Sequence, residues 1–180
     1  MPTYSSTHHR RSIRLPGFDY SQPGAYFITM ITYERQLLFC EPIHNQMFLN
    51  QRGIVVRNEW IKTAAIRPEI QIGPYVIMPN HFHAIVWITD ESVGAYGHTP
   101  LHPPVSFASP SKTLGALVRG FKGAVTSTIN RIYQTPRLPV WQRNYYEHII
   151  RSEQEYEQIA MYIQTNPENW ITDSEYCAGL

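Results

Sequence analysis

Thiols are nearly absent: Cys40 and Cys177 are the only two in 180 residues. Two thiols cannot build a disulfide framework or a four-thiolate zinc site, so a reduced, cytoplasmic setting is expected. Long apolar runs are missing as well. The longest, Val76–Met78 and Ala84–Ile88, fall far short of the roughly 20 residues that a membrane-spanning helix needs, and no membrane partner is expected. The polar, basic residues 1–12 are followed by no apolar stretch, so no secretory leader is expected either. Charged residues make up 16% of the chain against 43% hydrophobic, which excludes a highly charged disordered tail. No phosphate-cradling glycine loop is present, so nothing points to a nucleoside triphosphate. Internal repeats and long low-complexity tracts are lacking too. At this length a single domain with its own core is expected.

What is present is unevenly spread. The formal net charge is +1, yet residues 1–144 carry 14 of the 15 Lys and Arg and only half of the 14 acids. A basic body with an acidic end can bind a polyanion locally while appearing neutral overall; the same segregation also arises from solvated charges alone.

Ala25–Tyr33 reads as a strand rich in Tyr, Phe, Ile and Thr. From Asn45 to about Ala65 the apolar spacing is closer to a helical period, although Gly53 weakens it. Ile70–Met78 and His83–Thr89 flank the turn pair Pro79-Asn80 and read as a hairpin. Residues 90–112, rich in Gly, Pro, Ser and His, read as a surface excursion. Thr113–Ile132 has helical apolar spacing, Val140–Ile150 contains a short strand, and Ser152 with Glu155 forms a capping-box pattern that opens a last helix running to about Pro167. The order predicts an α+β fold: a ferredoxin-like split βαβ sandwich, its antiparallel sheet covered by helices on one face, plus a C-terminal helix.

His81 and His83 lie at i and i+2 of a strand, so both imidazoles point to one face, roughly 6.6–6.8 Å apart along the chain, while Phe82 points into the opposite layer. Such a pair converges on one cation, or consists of ordinary polar residues at a strand start. The other histidines are scattered, and no three-histidine zinc site is evident. That argues for a hard cation with oxygen ligands and water in the remaining positions, although imidazole alone does not decide between metals. On the last helix Gln158, Tyr162 and Asn166 share a stripe. A tyrosine phenolate can be a nucleophile and an asparagine can present a carbonyl oxygen to a metal. The plainer roles are packing for Tyr162 and helix termination before Pro167 for Asn166. Arg119, Lys122 and Arg131 on the long helix, with Arg143 and the basic residues Arg10, Arg11 and Arg14, are candidate phosphate contacts, with Trp141, Tyr145 and Tyr146 as stacking surfaces.

Taken together, the chain resembles the single-tyrosine HUH transposases, most closely the REP-associated tyrosine transposase group. The residues that carry the likeness are Met78-Pro79-Asn80-His81-Phe82-His83, then Val140-Trp141-Gln142-Arg143-Asn144-Tyr145-Tyr146-Glu147-His148-Ile149-Ile150-Arg151, then Tyr162-Ile163-Gln164-Thr165-Asn166-Pro167 with Trp170. The opening Arg14-Leu15-Pro16-Gly17-Phe18-Asp19-Tyr20 and Tyr26-Phe27-Ile28-Thr29 is similar too, so the likeness spans about residues 10–170. It implies a basic arm over 1–24, one catalytic domain over 25–170 and a tail over 171–180. His81, His83 and Asn166 would hold Mg²⁺ or Mn²⁺, and Tyr162 would be the nucleophile that cuts and rejoins DNA through a 5′-phosphotyrosine. Asn166 stands where related transposases often have Gln. The implied partner is single-stranded or hairpin DNA, and the sequence leaves a homodimer open. Two other classes stay in view: a catalytically silent DNA-binding module of the same fold, and a zinc-dependent hydrolase, which would need further ligands that the run after His83 does not supply.

Overall fold

The computed structural model describes residues 19–43, 46–89, 112–173 and 175. Arg10, Arg11, Arg14 and all of the 90–112 excursion except Lys112 therefore lie outside the described residues, as do residues 176–180. The elements in chain order are β1 (Gly24–Ile31), β2 (Cys40–Ile43), β3 (Gln46–Leu49), α1 (Gln51–Ile66), β4 (Ile70–Ile77), β5 (His81–Ile88), α2 (Leu114–Tyr133), β6 (Tyr146–Ile150) and α3 (Glu153–Thr165).

Four strands form one sheet in the order β4-β5-β1-β6, and every neighbouring pair is antiparallel. That is the ferredoxin-like order which the element sequence predicts. Strand alternation sorts the side chains into two layers. Tyr26, Ile28 and Met30 of β1 and Phe82, Ala84, Val86 and Ile88 of β5 pack under α1 and α2, against Val56, Trp60, Leu117, Phe121 and Val125. The Trp60 indole meets the rings of Phe82 and Phe121 edge-on, each with centroids 5.1 Å away. On the other face Phe27, Ile85 and Ile150 pack against Ile163 of α3. α1 and α2 thus share one face, and the tyrosine helix α3 forms a separate layer behind the sheet.

Two expectations need correcting. The helical run expected from Asn45 begins only at Gln51, because Gln46–Leu49 pair with Cys40–Ile43 as a small hairpin, and Asn50 then accepts from the N–H groups of Arg52 and Gly53 and starts the helix. The strand expected over 140–150 is confined to Tyr146–Ile150. Ahead of it Trp141 makes only an isolated bridge to Thr32. At α3 the capping pattern is present: Ser152 Oγ accepts from Glu155 N–H at 3.2 Å, while the Glu155 carboxylate accepts from Arg151 N–H at 2.7 Å. β4 is an edge strand, and its Pro74 falls where the register shifts between Ile72 and Tyr75, a place that spares a ladder hydrogen bond. No helix among the described residues is long and apolar enough to cross a membrane.

Gly53 is required by a close approach. A Cβ there would stand 2.1 Å from the Phe39 carbonyl oxygen, whereas at Gly120 on α2 it would meet nothing within 4 Å. Gly53→Ala is expected to lower stability by about 2–3 kcal/mol, overpacking outweighing the gain in helix propensity. Gly120→Ala is expected to raise it by about 0.5–1 kcal/mol. Urea unfolding midpoints of the two variants check both signs.

Candidate active site

The pairing of β1 with β5 sets Thr29 opposite His83 and Ile31 opposite His81. Both imidazoles therefore lie on the α3 side of the sheet and are buried. Their rings are 4.5 Å apart centre to centre. Hydrogen bonds fix how each ring is used. Asn80 Nδ2 donates to the Glu175 carbonyl at 2.7 Å, so its Oδ1 faces His81 as an acceptor, and His81 Nδ1–H donates to it at 2.9 Å. That leaves the His81 Nε2 lone pair directed into the site, as a neutral imidazole has one N–H. His83 Nδ1 lies 2.7 Å from Thr29 Oγ1, which directs Nε2 toward α3.

α3 brings Tyr162 to this point. Its hydroxyl is 3.2 Å from His83 Nε2 and donates to Asp173 Oδ2, also at 3.2 Å. Phe27 forms the floor: its ring stacks on His83 and meets Tyr162 edge-on. One turn beyond the tyrosine, Asn166 Nδ2 donates to the same Asp173 oxygen at 2.6 Å. Trp170 packs against the His81 ring and anchors the short turn that aims Asp173 inward. Glu175 N–H donates to Asp173 Oδ1 at 2.6 Å, and an Arg35–Glu175 ion pair ties this segment down.

His81, His83 and Asp173 each offer a ligand atom, all within 4.8 Å of one another. Two buried acceptors in the same place, His81 Nε2 and Asn166 Oδ1, have no hydrogen-bond partner among the described residues. Facing lone pairs buried without a hydrogen between them are costly, and a cation resolves them. Two imidazole nitrogens, a carboxylate oxygen and an amide oxygen fit a divalent ion.

The electrostatics agree with neutral imidazoles. Burial pushes His81 down to about 4 and Arg35 adds to it, against the opposing pull of Asp173 and Asn166. Burial and the neighbouring His81 bring His83 down to about 3. Burial, then the Asp173 charge, pushes the Tyr162 phenol up to about 12, so it starts protonated. For Asp173 burial works upward, but the Glu175 N–H, the Asn166 amide and the two imidazoles outweigh it and hold the carboxyl below its ordinary value.

Tyr162, His81, His83 and Asn166 are thus brought to one point. The basic candidates are not. Arg119, Lys122 and Arg143 line a cleft of about 780 Å³ between α2 and residues 139–145. Burial lowers the Lys122 ammonium to about 8. Arg131, exposed on the last turn of α2, is not among the residues lining that cleft. Gln158 is exposed on α3. Sequence reasoning missed Asp173, which it left in a C-terminal tail. The available signal was a lone acid three residues after Trp170, just past the likeness-bearing stretch, with no periodicity to mark it.

Unfolded imidazoles take up protons near 6.5, while the buried pair resists protonation down to about 4 and 3. The unfolded chain therefore binds more protons between those limits. In EDTA, the imidazole contribution to stability is expected to be complete above about pH 6.5 and to fall away progressively as the pH drops toward 4. Asp173, whose lowered value acts only below its ordinary 3.8, stays outside that window. Urea unfolding at a series of pH values checks this, and a His81→Gln/His83→Gln chain should show a flatter profile.

No protein-family model matches the chain. An uncharacterized protein of Haemophilus influenzae strain Rd is 42% identical over 172 residues, covering 94% of this chain and 94% of that one. A solved structure of a REP-associated tyrosine transposase bound to a REP hairpin superposes with a TM-score of 0.54 at 21% identity, over 80% of this chain and 66% of that one. This chain thus spans about two thirds of that structure's length. The chain belongs to one family with the Haemophilus protein, and it carries the fold of the REP-associated tyrosine transposase.

Proposed function

We propose that the chain is a transposase that cleaves and rejoins single-stranded, hairpin-containing DNA through Tyr162, with Mg²⁺ or Mn²⁺ as its cofactor. The observation that carries this reading is the position of the Tyr162 hydroxyl, 3.2 Å from His83 Nε2 and 3.2 Å from Asp173 Oδ2. A phenol hydroxyl beside two imidazoles and a carboxylate supports reading it as a nucleophile next to a group of metal donors.

His81, His83 and Asn166 would hold the ion, with Asp173 as a further oxygen donor. When bound, the ion supplies Lewis-acid polarisation of a non-bridging oxygen on the scissile phosphate. The chain's own residues do the rest. Phe27 and α3 orient the phenol, and Asn166 Nδ2–H holds the Asp173 carboxylate beside it. Because the phenol starts protonated, its proton needs an acceptor within reach, and Asp173 Oδ2 is placed to take it. The Tyr162 oxygen then forms a bond to phosphorus while the bond to the 3′ oxygen breaks. That oxygen leaves as a 3′-hydroxyl, the proton that Asp173 took from Tyr162 reaching it through water. One phosphoester replaces another, so attack by a 3′-hydroxyl on the phosphotyrosine rejoins strands without a triphosphate.

The test is formation of a denaturant-resistant protein–DNA adduct with Mn²⁺ and a hairpin oligonucleotide. Tyr162→Phe is expected to reduce the adduct by at least about 10³-fold, with hairpin binding kept. His81→Ala is expected to lose Mn²⁺ binding in electron paramagnetic resonance titrations. Hairpin binding without any wild-type adduct would turn the reading to a silent binding module. Tight stoichiometric zinc without an adduct would turn it to a hydrolase.

A further inference from the structure

Lys122 projects from α2 into the wall of the cleft that residues 139–145 close. Its ammonium reaches three successive carbonyls: Gln142 at 2.5 Å, Asn144 at 2.9 Å and Arg143 at 3.5 Å. An ammonium has three N–H donors, so none is left over for an outside anion. Three consecutive carbonyl dipoles converging on one point repel each other unless a cation stands there.

The segment is fixed at both ends but not in its middle. Upstream, Tyr33 N–H donates to the Val140 carbonyl and Gln142 N–H donates to the Ile31 carbonyl, each at 2.9 Å. Downstream, Tyr146 pairs with Thr29 on β1. The turn from Gln142 to Asn144 takes its shape from Lys122. With its carbonyls drawn inward, it leaves the side chains of Arg143 and Asn144 exposed. It also leads to the active site: Tyr146 meets the Phe27 ring edge-on, and Phe27 meets Tyr162 edge-on.

We propose that Lys122 is a positioning residue for DNA, clasping the 142–144 turn from inside, and that Arg143, displayed by that turn on the rim of the cleft, meets the phosphodiester backbone of the single strand leading to Tyr162. The proposal rests on the DNA-processing reading above. It separates two cations that a count of basic residues treats alike: one contacts phosphate, and the other acts only through the first.

The full-length protein is titrated against a labelled DNA hairpin with single-stranded flanks of about eight nucleotides, over a range of salt concentrations. Arg143→Gln is expected to weaken binding about tenfold and to lower the salt slope by about 0.7, one phosphate contact on a single strand. Lys122→Met is expected to do the same, and the double variant to bind no more than about twofold more weakly than Lys122→Met alone, as for two residues that act as a unit. In the free protein the amide NMR signals of residues 143–146 are expected to move in Lys122→Met. A double variant weakened about a hundredfold, with about 1.4 lost from the slope, would make Lys122 an independent phosphate contact and overturn the proposal. So would unchanged affinity in Lys122→Met. Should that variant fail to fold, Lys122→Gln is judged by the same criteria. A wild-type protein that neither binds the hairpin nor forms the adduct sinks the parent reading. One that does both while the two substitutions add sinks only the role of Lys122.

Discussion

A slip of one residue between β1 and β5 would turn His81 and His83 into the helical core and push Phe82 out of it. The register of that strand pair is the constraint on which the rest of the molecule depends. Phe82 is held by Trp60, Phe121 and Tyr75, and Ala84 and Val86 fill the same layer. Burying those apolar side chains sets the phase of the strand, and the phase presents both imidazoles on the other face. The hydrophobic effect thus orients the polar pair, whose own interactions with Asn80 and Thr29 only select which nitrogen is used.

Desolvation then works in two opposite ways. Around the histidines it removes water from bases that remain neutral, leaving their lone pairs open to the ion proposed above. Around Lys122 it surrounds a cation with carbonyl dipoles that replace the lost hydration. In both places a polar group is placed inside because backbone geometry nearby needs it or because a ligand completes it. Buried ionisable groups lacking such compensation are rare.

Much of this was legible in the sequence through local composition and helical spacing. Runs of β-branched and aromatic residues between turn pairs marked β1, β4 and β5, spacing of three and four marked α2, and the spacing of four between Tyr162 and Asn166 gave the stripe that meets the imidazoles. The short β2–β3 hairpin was not legible: Met47 and Leu49 also fit the start of a helix, and only the tertiary packing of Phe39 against Trp141 and the cap at Asn50 end that ambiguity. Asp173 left only a faint trace because its position comes from a turn anchored by Trp170, a contact with His81 across about half of the chain length. The difference between Lys122 and Arg143 was equally hidden, since composition records charge and not what a charge faces.

The layer behind the sheet is small. α3 is seated on Phe27, Ile85 and Ile150 through Ile163, with Tyr156, Ile159 and Ala160 half-buried beside them, while α1 and α2 share a much larger core. Tyr162 and the two imidazoles thus sit in different layers of the fold, one on α3 and the others on β5. Lifting α3 exposes far less apolar area than global unfolding, so it is the cheaper of the two openings. The covalent link proposed at Tyr162 would fasten its DNA to this smaller layer, whose opening leaves the imidazole-bearing sheet intact.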